Sequence, residues 1–139
     1  MITLVRNSSG AFCRNSNGDL IQKSNIVTTN IAYVFGGQRS DSLYYNNCWG
    51  YNGSSWNFET NMPSPGRSSL AASTIGSTAY IFGGYDGGIP YPDPIRDCDS
   101  WNGSSWSNEV DMPSPGRELF AASTINTTAY VFGGLTNTG

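Results

Sequence analysis

Acidic side chains gather once along this chain, at Asp86, Asp93, Asp97 and Asp99, in a stretch that also carries Tyr85 and Tyr91. Carboxylates beside tyrosines are the residue types that hold a sugar, by hydrogen bonding and ring stacking. Two carboxylates fixed across one cleft would serve glycosidic hydrolysis. The segment Tyr85–Asp97 reads equally as a proline-stiffened loop without a ligand, and that plainer reading is preferred. The acid spacing matches no EF-hand loop. An earlier stretch, Gln38–Asn47, places Arg39, Asp41, Tyr44 and Tyr45 in a corresponding position. The candidates for ligand contact are therefore Arg39, Asp41, Tyr44, Tyr45, Tyr85, Asp86, Tyr91 and Asp93.

Histidine is absent from the 139 residues. That removes triads with a histidine base, histidine-ligated zinc or copper, and imidazole pH switches. The three cysteines, Cys13, Cys48 and Cys98, offer no close pair in sequence and no zinc-ligand spacing. No catalytic residue set, metal site or cofactor is expected, and the chain reads as a non-enzyme. Lys23 is the single lysine and the net charge is −3, so no basic stretch is present to follow a nucleic-acid backbone.

The elements that would carry these residues are set by an internal repeat. Ala32-Tyr33-Val34-Phe35-Gly36-Gly37 returns at Ala79–Gly84 and again at Ala129–Gly134, with Phe35, Phe82 and Phe132 spaced 47 and 50 residues apart. Tyr51-Asn52-Gly53-Ser54-Ser55-Trp56 matches Trp101–Trp106, and Met62-Pro63-Ser64-Pro65-Gly66-Arg67 matches Met112–Arg117. Three blocks in register exclude coincidence. Inside a unit the pattern is one of short strands. Apolar residues alternate before Gly-Gly, Asn-Gly stands between aromatic runs, and prolines break the chain. The second unit predicts strand A near Ser68–Thr74, B over Thr78–Gly84, C near Ile95–Trp101 and D near Ser105–Val110. Cys48 and Cys98 are repeat equivalents, too far apart for a disulfide if they lie on neighbouring sheets, and are expected as buried free thiols. The Asn52 and Asn102 sequons fall on the hairpin turn, and turn chemistry is the preferred reading.

Four-stranded units repeated at this interval point to a β-propeller. The residues resemble the kelch repeat: an aromatic and an apolar residue before Gly-Gly, then an aromatic, a Trp, Met-Pro and an Arg. The resemblance covers Asn30–Gly134. The Trp-Asn-Gly-Ser-Ser-Trp and Phe-Gly-Gly blocks are also similar to repeats of structural proteins of marine bacteriophages. Tyr51 to Trp56 and Trp101 to Trp106 are only five residues apart, closer than in kelch repeats and nearer the viral pattern. The kelch family includes a copper oxidase whose histidines have no counterpart here. In this frame Gly36, Gly37, Gly83, Gly84, Gly133 and Gly134 allow close backbone approach. Trp56 and Trp106 supply apolar area, and Arg67 and Arg117 donate to carbonyls of the adjacent blade. A ring of guanidinium groups for an anionic ligand is the less favoured reading of the arginines.

The fold class expected is an all-β, kelch-like propeller segment of about three blade equivalents. Residues 1–29 would be a diverged half-blade (Ile2–Val5 and Ala11–Arg14) and a first inner strand (Leu20–Val27). Residues 30–76 and 77–126 are the two repeats, and 127–139 start a third. Three blades do not close a ring. The expected partner is a second copy, giving six blades, or else further sequence or a larger assembly. No 18-residue apolar run or signal-peptide core is present. The functional expectation is a binding or structural module, as a virion or appendage component at an extracellular surface, contacting a protein or glycan receptor. A lectin-like propeller and a hydrolase using loop carboxylates are the alternatives.

Overall fold

Tyr80 and Phe82 point to one face of a strand and Ala79 and Ile81 to the other, the period-two separation that the repeat imposes on each sheet. The computed structural model describes residue 17 and residues 30–40, 43–88 and 94–137. The chain falls into two compact units, Met1–Asn30 and Ile31–Gly139, and the sheets described here belong to the second. The strands expected before residue 30 lie outside the described residues.

Among the described residues the structure is all-β, without a helix. The first sheet is an antiparallel meander of β1 (Ala32–Gln38), β2 (Tyr44–Tyr51) and β3 (Trp56–Phe58). The second holds β4 (Ala71–Ile75), β5 (Thr78–Phe82), β6 (Cys98–Trp101) and β7 (Trp106–Asn108) in sequential order, and the third pairs β8 (Ala121–Ile125) with β9 (Thr128–Phe132). The repeat makes β1, β5 and β9 equivalent. In each, a tyrosine and a phenylalanine two residues apart stack on one face, with ring centroids 5.9, 6.5 and 6.4 Å apart.

The four strands expected in the second unit are present but shorter than expected. Strand β4 starts at Ala71 because Ser69 sits at φ 55°, which breaks extended geometry, while Ser68 makes only an isolated bridge to Tyr85. Strand β6 starts at Cys98, and β7 ends at Asn108. The Asn-Gly hairpins are four-residue loops closed by the asparagine side chain. Asn102 Oδ1 accepts from the N–H groups of Ser104 and Ser105, both at 2.9 Å, and Asn52 repeats this with Ser54 and Ser55 at 3.0 Å.

The core is the seam between the first two sheets. Trp101 is buried there, edge-on to Tyr33 at 6.4 Å, and Trp106 meets Phe35 edge-on at 5.6 Å. The Trp106 indole N–H donates to the Thr60 carbonyl at 2.9 Å, giving the ring its polar partner. The second and third sheets meet along β4 and β8. There Ser73 Oγ and Thr124 Oγ1 lie 2.6 Å apart, and Leu119 N–H donates to Ser69 O at 3.0 Å.

A shared device explains why Phe-Gly-Gly and Met-Pro-Ser-Pro-Gly-Arg travel together. Gly37 N–H donates to Arg67 O at 2.9 Å and Gly84 N–H to Arg117 O at 2.9 Å. A Cβ on Gly36 would stand 2.3 Å from Arg67 O, and one on Gly83 2.7 Å from Arg117 O. The crossover chain between sheets is thus held against the end of the preceding sheet. Arg67 then reaches forward into the next: its Nη1 is 3.5 Å from Gly83 O, and its Nη2 donates to Asp99 Oδ2 in a buried ion pair. Arg117 reaches Gly133 O at 3.1 Å from an exposed position.

Candidate binding site at the loop end

In an antiparallel meander the turns alternate ends, so the β1–β2 and β5–β6 connections share an end with the crossovers around Arg67 and Arg117. The Asn52 and Asn102 turns lie at the opposite end. Tyr44 opens β2, and Tyr85 is fixed by paired hydrogen bonds with Ser68, both at 2.9 Å. Their rings meet edge-on at 5.5 Å. Gln38 Nε2 donates to the Tyr44 hydroxyl at 3.0 Å. Asp86 Oδ1 accepts from Gly88 N–H at 3.0 Å, which turns the chain tightly. A Cβ on Gly87 would stand 2.3 Å from the Tyr44 ring, so only glycine lets the loop lie on it. Burial, followed by neighbouring Tyr44, Glu118 and Asp86, raises the Tyr85 phenol above its usual range. Two phenols, a carboxylate and an amide of this kind form a neutral-to-acidic hydrogen-bonding surface around two half-buried rings.

Of the eight ligand-contact candidates, Tyr44, Tyr85 and Asp86 come together. Tyr45 contributes its backbone, accepting from Arg67 N–H at 3.0 Å. Arg39 closes the first hairpin through its own N–H to Leu43 O at 2.9 Å. Asp41, Tyr91 and Asp93 lie outside the described residues. The acid cluster read from sequence is dispersed among the residues described. Asp99 lies on β6, inside the predicted strand C, where it is buried and paired with Arg67, with Asn108 Nδ2 at 3.4 Å from its other oxygen. Asp97 instead receives Gly83 N–H on its carbonyl at 2.9 Å. The less favoured reading of Arg67, as part of an anion-binding ring, loses ground to the same pair, which already neutralises it. Among the described residues no group of three histidine, cysteine or acidic side chains is gathered as metal ligands.

Beside Tyr85, at the same end, Pro94–Asp97 and Ser114–Gly116 line an open concavity of about 400 Å³. Arg96 and Asp111 form an exposed ion pair at 3.3 Å on its wall. Sequence reasoning passed over Gln38, Gly87, Arg96 and Asp111. The last two were detectable: at the repeat spacing they replace Asn46 and Asn61, a charged pair for two amides.

The structural residues surround this end. Cys48 and Cys98 are buried free thiols. Burial, with Glu59 second, pushes Cys48 from 9.0 up to about 12. Burial first, then Glu109 and Asp99, pushes Cys98 to about 11, with Arg67 acting in the opposite direction. In a Cys13→Ser background both thiols are expected to resist iodoacetamide at about pH 8 until the protein unfolds, because the thiolate is the nucleophile. Raised folded values mean that the unfolded thiols ionise first. The thiol contribution to stability is therefore complete below pH 9.0 and is lost as pH climbs towards about 12. Denaturant midpoints measured across that window should fall less steeply in Cys48→Ala.

Among the described residues no helix is long and apolar enough to cross a membrane. No family model and no curated protein matches the chain. In three dimensions it is similar to the solved structure of YjhT, at 15% identity and a TM-score of 0.68, over 89% of this chain and 44% of that one. The chain thus spans less than half the length of that structure, and a likeness at this identity speaks for the fold.

Proposed function

We propose that the three sheets are blades of a kelch-like β-propeller, and that the chain is a non-catalytic binding or structural module. The setting that fits best is a bacteriophage virion or appendage at an extracellular surface, where the loop end contacts a protein or glycan receptor. The observation carrying this reading is the Tyr44–Tyr85 pair, which joins the variable loops of two successive sheets at one end of the strands. Support for the propeller comes from three features. The repeated sheets stack face to face, their first strands β4 and β8 converge, and the arginine crossovers recur between sheets. Three such blades leave a ring to be completed by a second copy or by further sequence. Chemistry by loop carboxylates has less to recommend it, since Asp99, one of the four acids, is consumed by Arg67.

The test is binding to immobilised glycans and to host-surface extracts by wild type, Tyr44→Ala and Tyr85→Ala. Losing one ring face and one hydroxyl is expected to weaken binding by roughly tenfold, equivalent to about 1.4 kcal/mol. The fold, monitored by circular dichroism, should be retained. Binding that is indifferent to both substitutions places recognition elsewhere, and turnover of a glycan that stops in Asp97→Asn would replace this reading by the hydrolase.

A further inference from the structure

The loops of the first and second sheets present the same backbone to the crossover that follows each of them. Tyr45 O accepts from Arg67 N–H at 3.0 Å and Ile95 O from Arg117 N–H at 3.3 Å, so Tyr44 and Pro94 are equivalent. The bridges Ser68↔Tyr85 and Glu118↔Leu135 make Tyr85 equivalent to Leu135, and with it Gly87 to Asn137. At the first joint the Tyr44 ring stands between the two loops. It meets Tyr85 edge-on at 5.5 Å, and Gly87 has no room for a Cβ against it. At the second joint Pro94 brings no such ring and Asn137 replaces the glycine, and both line the concavity of about 400 Å³. Its floor is fixed, because Gly116 of the crossover lies directly on the Pro94 carbonyl with no space for a Cβ. The wall changes as well. Asn46, whose amide donates to Met62 O at 3.3 Å, becomes Arg96, and Asn61 becomes Asp111. The new pair meets at 3.3 Å with both side chains nearly half exposed. An ion pair in that setting contributes little to stability, so the fold does not account for the exchange.

We propose that this concavity is a subsite for one ring of a neutral oligosaccharide, with Arg96 and Asp111 holding two adjacent hydroxyls. The proposal rests on the receptor-binding reading of this end, and adds to it the ligand class and a second contact. A guanidinium only donates, an ionised carboxylate only accepts, and a sugar hydroxyl does both. Two neighbouring hydroxyls can therefore accept from Arg96 and donate to Asp111 while the two charges keep each other as partners. Pro94, Ile95 and Pro115 supply an apolar surface for the C–H face of the ring, and the volume lies in the range of small-molecule sites. Other ligands fit this wall less well. Its charges are one guanidinium and two carboxylates, Asp97 and Asp111, so a sulfate, phosphate or sugar acid would meet net negative charge. Among the described residues no three metal-ligating side chains converge, which leaves a cation without a ligand set. None of the described lining residues is aromatic, so an aromatic anchor from a protein partner finds no ring to pack on. The subsite also continues the tyrosine pair. Ile95 N–H donates to Gly84 O at 2.9 Å, which sets Pro94 beside Tyr85 at the strand ends. A second ring of the same ligand then reaches Tyr44 and Tyr85.

The test is titration of the chain with neutral di- and trisaccharides of glucose, galactose and mannose, and with sialylated and sulfated counterparts, read by calorimetry. Wild type is expected to bind a neutral member of the panel. Arg96→Asn/Asp111→Asn installs the pair that the first repeat carries on the same backbone. Its dichroism and urea midpoint should match wild type, while affinity falls roughly tenfold or more with the loss of charge-assisted hydrogen bonds. Pro94→Tyr/Asn137→Gly rebuilds the first joint at the second, fills the concavity with a ring, and should lower affinity to the same extent. Should that variant lose its dichroism, the asparagine pair decides alone. Tyr44→Ala reports separately on the tyrosine pair. Neutral-sugar binding that Tyr44→Ala weakens and the asparagine pair leaves intact overturns the subsite and keeps the receptor reading. Preference for the sialylated or sulfated forms overturns the ligand class. Capture of a host-surface protein with no sugar bound overturns the subsite alone, and a wild-type chain that binds neither sugar nor protein removes the receptor reading with it.

Discussion

Arg67→Met is expected to cost about 3–5 kcal/mol of stability, because it strands the Asp99 carboxylate in the interior without its counter-ion. Both side chains are almost completely buried, and the ion pair bridges the crossover after the first sheet to β6 of the second. The loss is thus at once electrostatic and architectural. Arg67 is held by its backbone to the first sheet, through its N–H to Tyr45 O at 3.0 Å and Gly37 N–H to its carbonyl at 2.9 Å. Its guanidinium belongs to the second. Removing the side chain separates two sheets whose seam holds the largest buried aromatic, Trp101. Arg117→Met is the matched control, since it keeps the same backbone device but makes only an exposed bond to Gly133 O at 3.1 Å. It should change stability by no more than about 1 kcal/mol. Urea unfolding followed by tryptophan fluorescence compares the two. The double variant Arg67→Met/Asp99→Leu should recover most of the loss, because an apolar pair replaces an ion pair whose desolvation was itself costly. Equal midpoints for Arg67→Met and Arg117→Met would remove the ion pair from any structural role.

The fate of Asp99 shows where sequence reasoning was strong and where it stopped. The repeat register was legible, and with it the four-strand unit, the hairpins and the close backbone approach at the glycines, but not that the arginine crossover is what approaches them. Asp99 counts among the clustered acids because it follows them closely in sequence, although predicted strand C already includes it. Yet it stands two residues before Trp101 on a strand, and residues two apart share a face. Its parity with an aromatic core residue pointed inward, and its repeat equivalent, Trp49, carries an apolar ring. The Tyr44–Tyr85 pair was legible only as two separate candidates. Their contact depends on how far one sheet is displaced against the next, which no local pattern encodes. Trp56 and Trp106 end identical Asn-Gly-Ser-Ser-Trp runs, but among the described residues only Trp106 has a carbonyl from the neighbouring unit, that of Thr60, to bond and Phe35 to pack against. Repetition specifies the side chain; the position in the stack decides what it touches.

The glycines before the crossovers permit a cleaner test of the same joint. Gly36, Gly83 and Gly133 are repeat equivalents with φ of 60°, 51° and 72°, so alanine at any of them incurs the same left-handed strain, about 1–2 kcal/mol. Their surroundings differ. A Cβ at Gly36 would stand 2.3 Å from Arg67 O and 3.0 Å from the Met62 methyl. At Gly83 it would meet Arg117 O and the Met112 methyl, both at 2.7 Å, whereas at Gly133 nothing lies within 4 Å. The methionine ends can yield, but the carbonyls cannot, since each accepts the N–H of the next glycine. Gly36→Ala and Gly83→Ala should therefore cost a further 1–3 kcal/mol, about the penalty of forcing a methyl group into a filled site, beyond the cost of Gly133→Ala. Subtracting the Gly133→Ala value from each cancels the backbone strain and leaves the close approach alone. Gly36→Ala should also expose Trp101 and Trp106, seen as a red shift of their fluorescence, because pushing Arg67 O away loosens the crossover that aims its guanidinium at Asp99. Three equal losses, with no change in the tryptophan spectrum, would mean that these glycines serve only their own turns and that the sheets are held together by the aromatic seam without the crossover.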